Sequence, residues 1–194
     1  MTNLPFTTED SWALWTVPTD SLTDKSDEAR QKLFGEVYVP ESFPTTLLPA
    51  NLETALKQVK YVLVGMNPGN AGTEHPNGDF LNFHGRKQSS DYRLAAAVYG
   101  TAAWGAFMTD LASINESDST QVTFTEKDVT KLEAHLDELG IPADATLIAM
   151  GAKTAQPLTQ YAQRDVIQIP HYSRANGHWD AAKVHAQLLG LTQK

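Results

Sequence analysis

The chain has 194 residues, of which 41% are hydrophobic and 20% charged, a balance that suits one domain with a well-buried core and excludes wholesale disorder. It contains no cysteine, so disulfides, thiolate zinc sites and cysteine-ligated iron–sulfur clusters are ruled out. The formal net charge of −8 argues against the broad basic footprint with which proteins grip a phosphate backbone.

The segment from Met1 to Asp10 has acidic residues and no basic cluster ahead of an apolar run, so no signal peptide is expected. No stretch approaches the roughly 18 consecutive apolar residues of a membrane span, and a cytoplasmic location is the expectation. Residues 1–50 mix tryptophans, prolines and a polar stretch from Asp20 to Lys32, with a short helical pattern only at Asp27–Phe34. They read as an arm or lid packed on the domain through Trp12 and Trp15.

From residue 51 the pattern becomes regular, and residues 51–194 read as one α/β domain. Leu52, Ala55, Leu56 and Val59 recur at helical spacing behind Asn51, a suitable N-cap. Tyr61–Val64 reads as a buried strand, followed by a helix near Tyr92–Ala102 and a strand at Ala106–Asp110. A helix from Glu126 to Leu139 starts at the cap Thr125, presents Val129, Leu132, Leu136 and Leu139 on one face, and is closed by Gly140-Ile141-Pro142. A strand at Thr146–Met150, a helix around Thr154–Tyr161, a strand at Asp165–Ile169 and a helix from about Trp179 to Leu189 complete the chain. Short apolar strands alternating with helices predict a three-layer αβα fold around a central, mostly parallel four-stranded sheet.

Ligands of open parallel sheets bind beyond the carboxyl ends of the strands. After the first strand comes Gly65-Met66-Asn67-Pro68-Gly69-Asn70-Ala71-Gly72, in which Asn67 can orient a water or a polar substrate group. The same residue types also make ordinary tight turns. The stretch lacks the Lys-Ser/Thr of a P-loop and the glycine spacing of a dinucleotide fingerprint. After the last strand comes Ile169-Pro170-His171-Tyr172-Ser173-Arg174-Ala175-Asn176-Gly177. A neutral His171 there can donate to developing negative charge, and Ser173 with nearby backbone N–H groups can contact a phosphate.

Gly-Met-Asn-Pro-Gly after the first strand, paired with a His-x-Ser loop after the last, resembles the two signature motifs of the uracil-DNA glycosylase superfamily, most closely its single-strand-selective monofunctional and mismatch-specific branches. Leu147-Ile148-Ala149-Met150-Gly151-Ala152-Lys153 resembles the strand and glycine turn before the second motif. The resemblance runs from about Val59 to the C-terminal helix. It implies a monofunctional DNA base glycosylase acting in base excision repair on uracil or a related damaged or mismatched base, as a monomer without cofactor or metal. It also implies that Asn67 positions the attacking water and His171 stabilises the departing base anion.

Further roles follow from the same resemblance. Gly65 and Met66 would line the base pocket, and Phe83, or else Phe80, would stack beneath a flipped base. Gly69, Ser173, Arg174, Asn176, Arg86 and Lys87 would contact DNA, with Arg174 or Ala175 near the minor groove. Asp110 falls where the family has a base-reading asparagine, and it departs from that pattern because an ionised carboxylate only accepts hydrogen bonds. It would accept from an amino group, read a ring N–H, be held protonated, or simply orient a loop. Tyr172 stands where the family has proline. His178, His185 and His171 lack the spacing and the completing carboxylate or cysteine of a zinc site. The alternative function is a catalytically inactive or repurposed member that binds a base, nucleotide or protein, which the charge and Asp110 favour.

Overall fold

The computed structural model describes residues 4–68, 79–114, 116, 118–173, 177 and 179–193. The strands are β1 (Ser11–Trp12), β2 (Tyr61–Gly65), β3 (Phe107–Asp110), β4 (Thr146–Met150) and β5 (Val166–Ile169). They form one sheet in the order β1-β3-β2-β4-β5, in which β2 to β5 run parallel and β1 pairs antiparallel with β3. The expected four-stranded sheet is therefore corrected to five strands. The additional strand comes from the arm, where Ser11 pairs with Met108 and Trp12 with Phe107. Two residues show no alternation by themselves, so only the pairing reveals the strand.

The helices are α1 (Asp27–Val37), α2 (Leu52–Leu56), α3 (Tyr92–Val98), α4 (Glu126–Glu138), α5 (Ala152–Tyr161) and α6 (Ala181–Leu189). Each start follows local chemistry. The side chains of Ser26, Asn51 and Asp180 accept from the third following backbone N–H, and Asp128 accepts from the Thr125 N–H at 2.8 Å. Such caps are worth about 1 kcal/mol each. The helix expected to reach Ala102 ends at Val98, because Tyr99 turns extended and Gly100 takes a positive φ.

Alternation along the strands divides the core into two apolar layers. Val62, Val64, Phe107, Leu147 and Ala149 share one layer with Leu56 of α2, Val129, Leu132 and Leu136 of α4 and Leu158 of α5. Leu63, Met108, Ile148, Met150 and Ile169 share the other with Phe34 of α1, the Leu94–Val98 face of α3 and Val184 and Leu188 of α6. Each fully buried aliphatic or aromatic side chain contributes about 1.5–3 kcal/mol of burial free energy. The arm belongs to both layers, since Trp12 lies in the first and Trp15 in the second. Among the described residues no helix is long and apolar enough to cross a membrane.

Candidate functional site

Parallel register brings the strand ends to one edge, with Gly65 opposite Asp110 and Met150 opposite Ile169. At Gly65 a side chain is excluded. A Cβ there would collide with Asp110 Oδ1 and with the Phe83 ring, so the missing side chain is what lets the carboxylate and the aromatic ring close over the backbone of β2. Gly65, Phe83 and Asp110 thus meet at one point.

Asp110 is 7% exposed and is held by the Asn82 amide, whose Nδ2 donates to Asp110 Oδ2 at 3.0 Å and to the Glu9 carbonyl at 2.6 Å. Burial pushes its pKa up to about 7; the Asn82 hydrogen bond opposes this, while the Glu9 and Asp10 charges reinforce it. The last residue of β3 is therefore a buried acid that titrates near neutrality.

The loop carrying Asn82 is bent by two left-handed residues, Phe80 at φ 56° and Phe83 at φ 65°. Bulky side chains seldom adopt this region, and surrounding bonds must impose it. Ser11 Oγ donates to the Phe80 carbonyl at 2.7 Å, and the buried His84 ring lies 3.3 Å from the Trp12 carbonyl. Together with the Asn82–Glu9 bond, these place the arm in control of the loop. The result separates the two phenylalanines: Phe80 is in the core against Phe6 and Phe43, whereas Phe83 lies at the strand edge beside Gly65.

Asn67 follows two residues after β2. Its Nδ2 lies 2.8 Å from the Pro68 carbonyl, 2.5 Å from that of Ile114 and 2.8 Å from that of Glu116. Three carbonyls can only face the amide nitrogen, so the orientation of the side chain is determined by its neighbours. Its Oδ1 is buried, and among the described residues no protein donor meets it. An acceptor left in this state costs about 1–3 kcal/mol, which a donor arriving with a ligand or as water would recover. Met66 beside it is half-buried, and Gly69 lies outside the described residues.

His171 follows β5 and packs against the turn after β4, where Gly151 at φ 93° leaves room for the His171 Cβ. The Ser173 backbone N–H donates to His171 Nδ1 at 3.1 Å, which assigns the proton of the neutral ring to Nε2. Burial lowers the His171 pKa and keeps the ring neutral, so Nε2–H is a ready donor. The ring stacks on Tyr172 at 4.6 Å between centroids, and Arg93 of α3 donates to the Tyr172 carbonyl at 2.9 Å. Tyr172 is itself buried, and the charges of Asp91 and Asp110 help to raise its pKa after the larger effect of burial.

Arg86 and Lys87 are exposed on the segment after the Phe83 loop, and Arg86 Nε sits 3.5 Å from Glu41. A buried carboxylate anchors this segment, because Ser89 Oγ donates to Asp91 at 2.7 Å and the Tyr38 hydroxyl lies 2.6 Å from the same side chain. Burial raises the Asp91 pKa to about 6. Ser173 is half-buried beside His171, while Arg174, Ala175, Asn176 and His178 lie outside the described residues. His185 is engaged elsewhere, with Nδ1 2.8 Å from the Ala97 carbonyl and Nε2 3.0 Å from Arg30.

Sequence reasoning missed Asn82 and the Glu9 carbonyl as parts of the edge. Asn82 lay inside a stretch read for its phenylalanines, and nothing in that stretch indicated which strand its amide would reach. Gly65, Asn82, Phe83 and Asp110 contact one another, whereas Asn67 and His171 follow β2 and β5 at the same carboxyl end of the sheet with contacts of their own. Among the described residues no three His, Asp or Glu side chains converge in a way that could hold a metal ion. Compared with known proteins, the chain matches no family model and no curated protein.

Proposed function

We propose that the protein is a monofunctional DNA base glycosylase that hydrolyses the N-glycosidic bond of uracil or a related damaged or mismatched base, acting as a cytoplasmic monomer in base excision repair. The observation that carries this reading is the Asn67 amide, turned by three carbonyls so that, among the described residues, Oδ1 is a buried acceptor without a protein donor. A water donating to that oxygen is oriented for attack at the sugar C1′. As the C1′–N bond breaks, the water oxygen joins C1′, its proton is released, and the base leaves as an anion that takes up a proton. His171 Nε2–H stabilises the anion by donation, and Phe83 offers a stacking surface. This chemistry needs neither a metal nor a covalent intermediate.

A second reading is a non-cutting relative that binds a base, nucleotide or protein. The net charge of −8 and the pairing of Arg86 with Glu41 favour it. Incubation with single- and double-stranded oligonucleotides carrying uracil, hypoxanthine or a mismatch, followed by alkaline cleavage, separates the two. The glycosylase reading expects strand breaks, and Asn67→Ala is expected to slow them by roughly 10²–10³-fold with little change in folding. No breaks from any substrate, together with thermal stabilisation by a nucleotide, would establish the binding reading instead.

A further inference from the structure

The segment from Gly85 to Ser90 leaves the Phe83 loop and carries the exposed Arg86 and Lys87 to the start of α3. A fully buried carboxyl group, that of Asp91, fastens it to the end of α1. The hydroxyl of Tyr38, which follows α1, stands 2.6 Å from Asp91 Oδ2 and 2.7 Å from the Gly85 carbonyl. Both are hydrogen-bonding distances, and both partners are oxygens. A phenol has one hydrogen to donate. With Asp91 ionised, that hydrogen serves either the carboxylate or the carbonyl, and the other oxygen faces Tyr38 without a hydrogen between them. Both contacts are bonds only when Asp91 brings a hydrogen of its own, donating to the Tyr38 oxygen while Tyr38 donates to Gly85.

The second carboxyl oxygen fixes where that proton sits. Ser89 Oγ donates to Asp91 Oδ1 at 2.7 Å, so the carboxyl hydrogen belongs on Oδ2, toward Tyr38. The surroundings favour it, since burial raises the Asp91 pKa to about 6 against the hydrogen bonds that lower it. Tyr38 and Tyr172 face Asp91 as neutral phenols, their pKa values raised first by burial and then by the charge that Asp91 carries when ionised. His84 in the adjoining loop is buried and neutral, its pKa lowered by burial to about 3. Arg93 of α3 donates to the Tyr172 carbonyl, and the exposed Arg86 pairs with Glu41.

We propose that Asp91 is a proton-operated latch between α1 and residues 85–90: protonated, it leaves the Tyr38 hydrogen to the Gly85 carbonyl, and ionised, it takes that hydrogen for itself. A carboxylate is a stronger acceptor than a carbonyl, so the exchange follows from loss of the proton to solvent. Among the described residues Gly85 then keeps the Glu41 N–H as its donor, at 3.2 Å. Acid fastens the segment and neutral pH loosens it, so the grip on Arg86 and Lys87 depends on pH. The latch needs no ligand and stands apart from the base-binding reading.

The test follows the full chain by NMR from pH 4.5 to 7.5. The Asp91 carboxyl carbon, identified by its loss in Asp91→Asn, is expected to titrate near 6. Over the same range, hydrogen-exchange protection of the Gly85–Ser90 amides, corrected for the intrinsic rate at each pH, is expected to fall about fivefold, the effect of one neutral hydrogen bond. Asp91→Asn supplies an amide that donates to Tyr38 and accepts from Ser89 at any pH, so its protection should stay at the acid level throughout. Tyr38→Phe removes the shared hydroxyl, and its protection should be low at both ends. This second variant keeps the test open if Asp91→Asn does not fold. A carboxyl that titrates near the ordinary 3.8, a wild-type protection that does not change with pH, or a fall that persists in Tyr38→Phe overturns the latch.

Discussion

Two buried carboxylates meet the end of β3, Asp110 as its last residue and Asp10 of the arm through Thr109, and their surroundings contrast. On the α4 face, Asp10 accepts from the Thr7 N–H at 2.8 Å and from Thr109 Oγ1 at 2.9 Å, and it meets His135 Nε2 at 2.9 Å. On the other face, Asp110 has one side-chain donor among the described residues, Asn82, and its second oxygen packs against Gly65 and Phe83. Both side chains are buried. A carboxylate whose oxygens are saturated by protein donors holds several elements together. Burial alone therefore does not distinguish the two carboxylates, but their donors among the described residues do.

The largest expected effect tests the saturated side. Asp10→Ala removes the buried acceptor that meets His135 and strands Thr109 Oγ1 and the Thr7 N–H, so urea unfolding should show a loss of about 3 kcal/mol. A loss below about 1 kcal/mol would erase the contrast between the two carboxylates. Next comes the close approach on the other face. Gly65→Ala forces a methyl group into Asp110 and Phe83, with an expected cost of about 2 kcal/mol and loss of base binding.

The third effect is one of slope. Asp110 titrates at about 7 when folded, against an ordinary 3.8, so folding favours its protonated form. The stability from this group is full below pH 3.8 and is lost as the pH rises through about 7. Burial lowers the His135 pKa, but the Asp10 hydrogen bond and charge outweigh burial and raise it, so its contribution also declines as the pH rises through its folded value. Asp110→Asn should remove only the first decline, and thermal unfolding from pH 4 to pH 8 should show the variant gaining on the wild type. Parallel profiles would mean that the native environment does not raise the Asp110 pKa. The smallest effect is at the rim, where Arg86→Ala should change stability by less than about 0.5 kcal/mol. If Arg86 contacts phosphate, the same change should reduce the salt slope of oligonucleotide binding by about one.

The parallel strands were legible because β2, β3 and β4 are apolar runs bounded by turn residues, and α4 because its cap and its period agree. The strand-end positions of Asn67, Asp110 and His171 followed from β2, β3 and β5. The contribution of the arm was not legible. Ser11 and Trp12 become a strand through pairing with residues 107 and 108, and Asp10 becomes a hub through His135, 125 positions away. Such bonds depend on tertiary contact and leave no periodic trace. The left-handed backbone at Phe80 and Phe83 is likewise invisible, since glycine and asparagine are the usual sequence marks of that conformation and phenylalanine is not.

The pairing of β1 with β3 has a consequence for how the chain reaches its working form. Ser11 must wait for Met108, nearly a hundred residues later, before the first strand has a partner. Contacts of such long range slow folding, because the entropy of closing a large loop is lost before the contact is made. During synthesis the arm emerges first and is secured only after β3 follows. Until then the arm that reaches the Asn82 loop through Glu9 and Ser11 has no strand to hold it in the sheet.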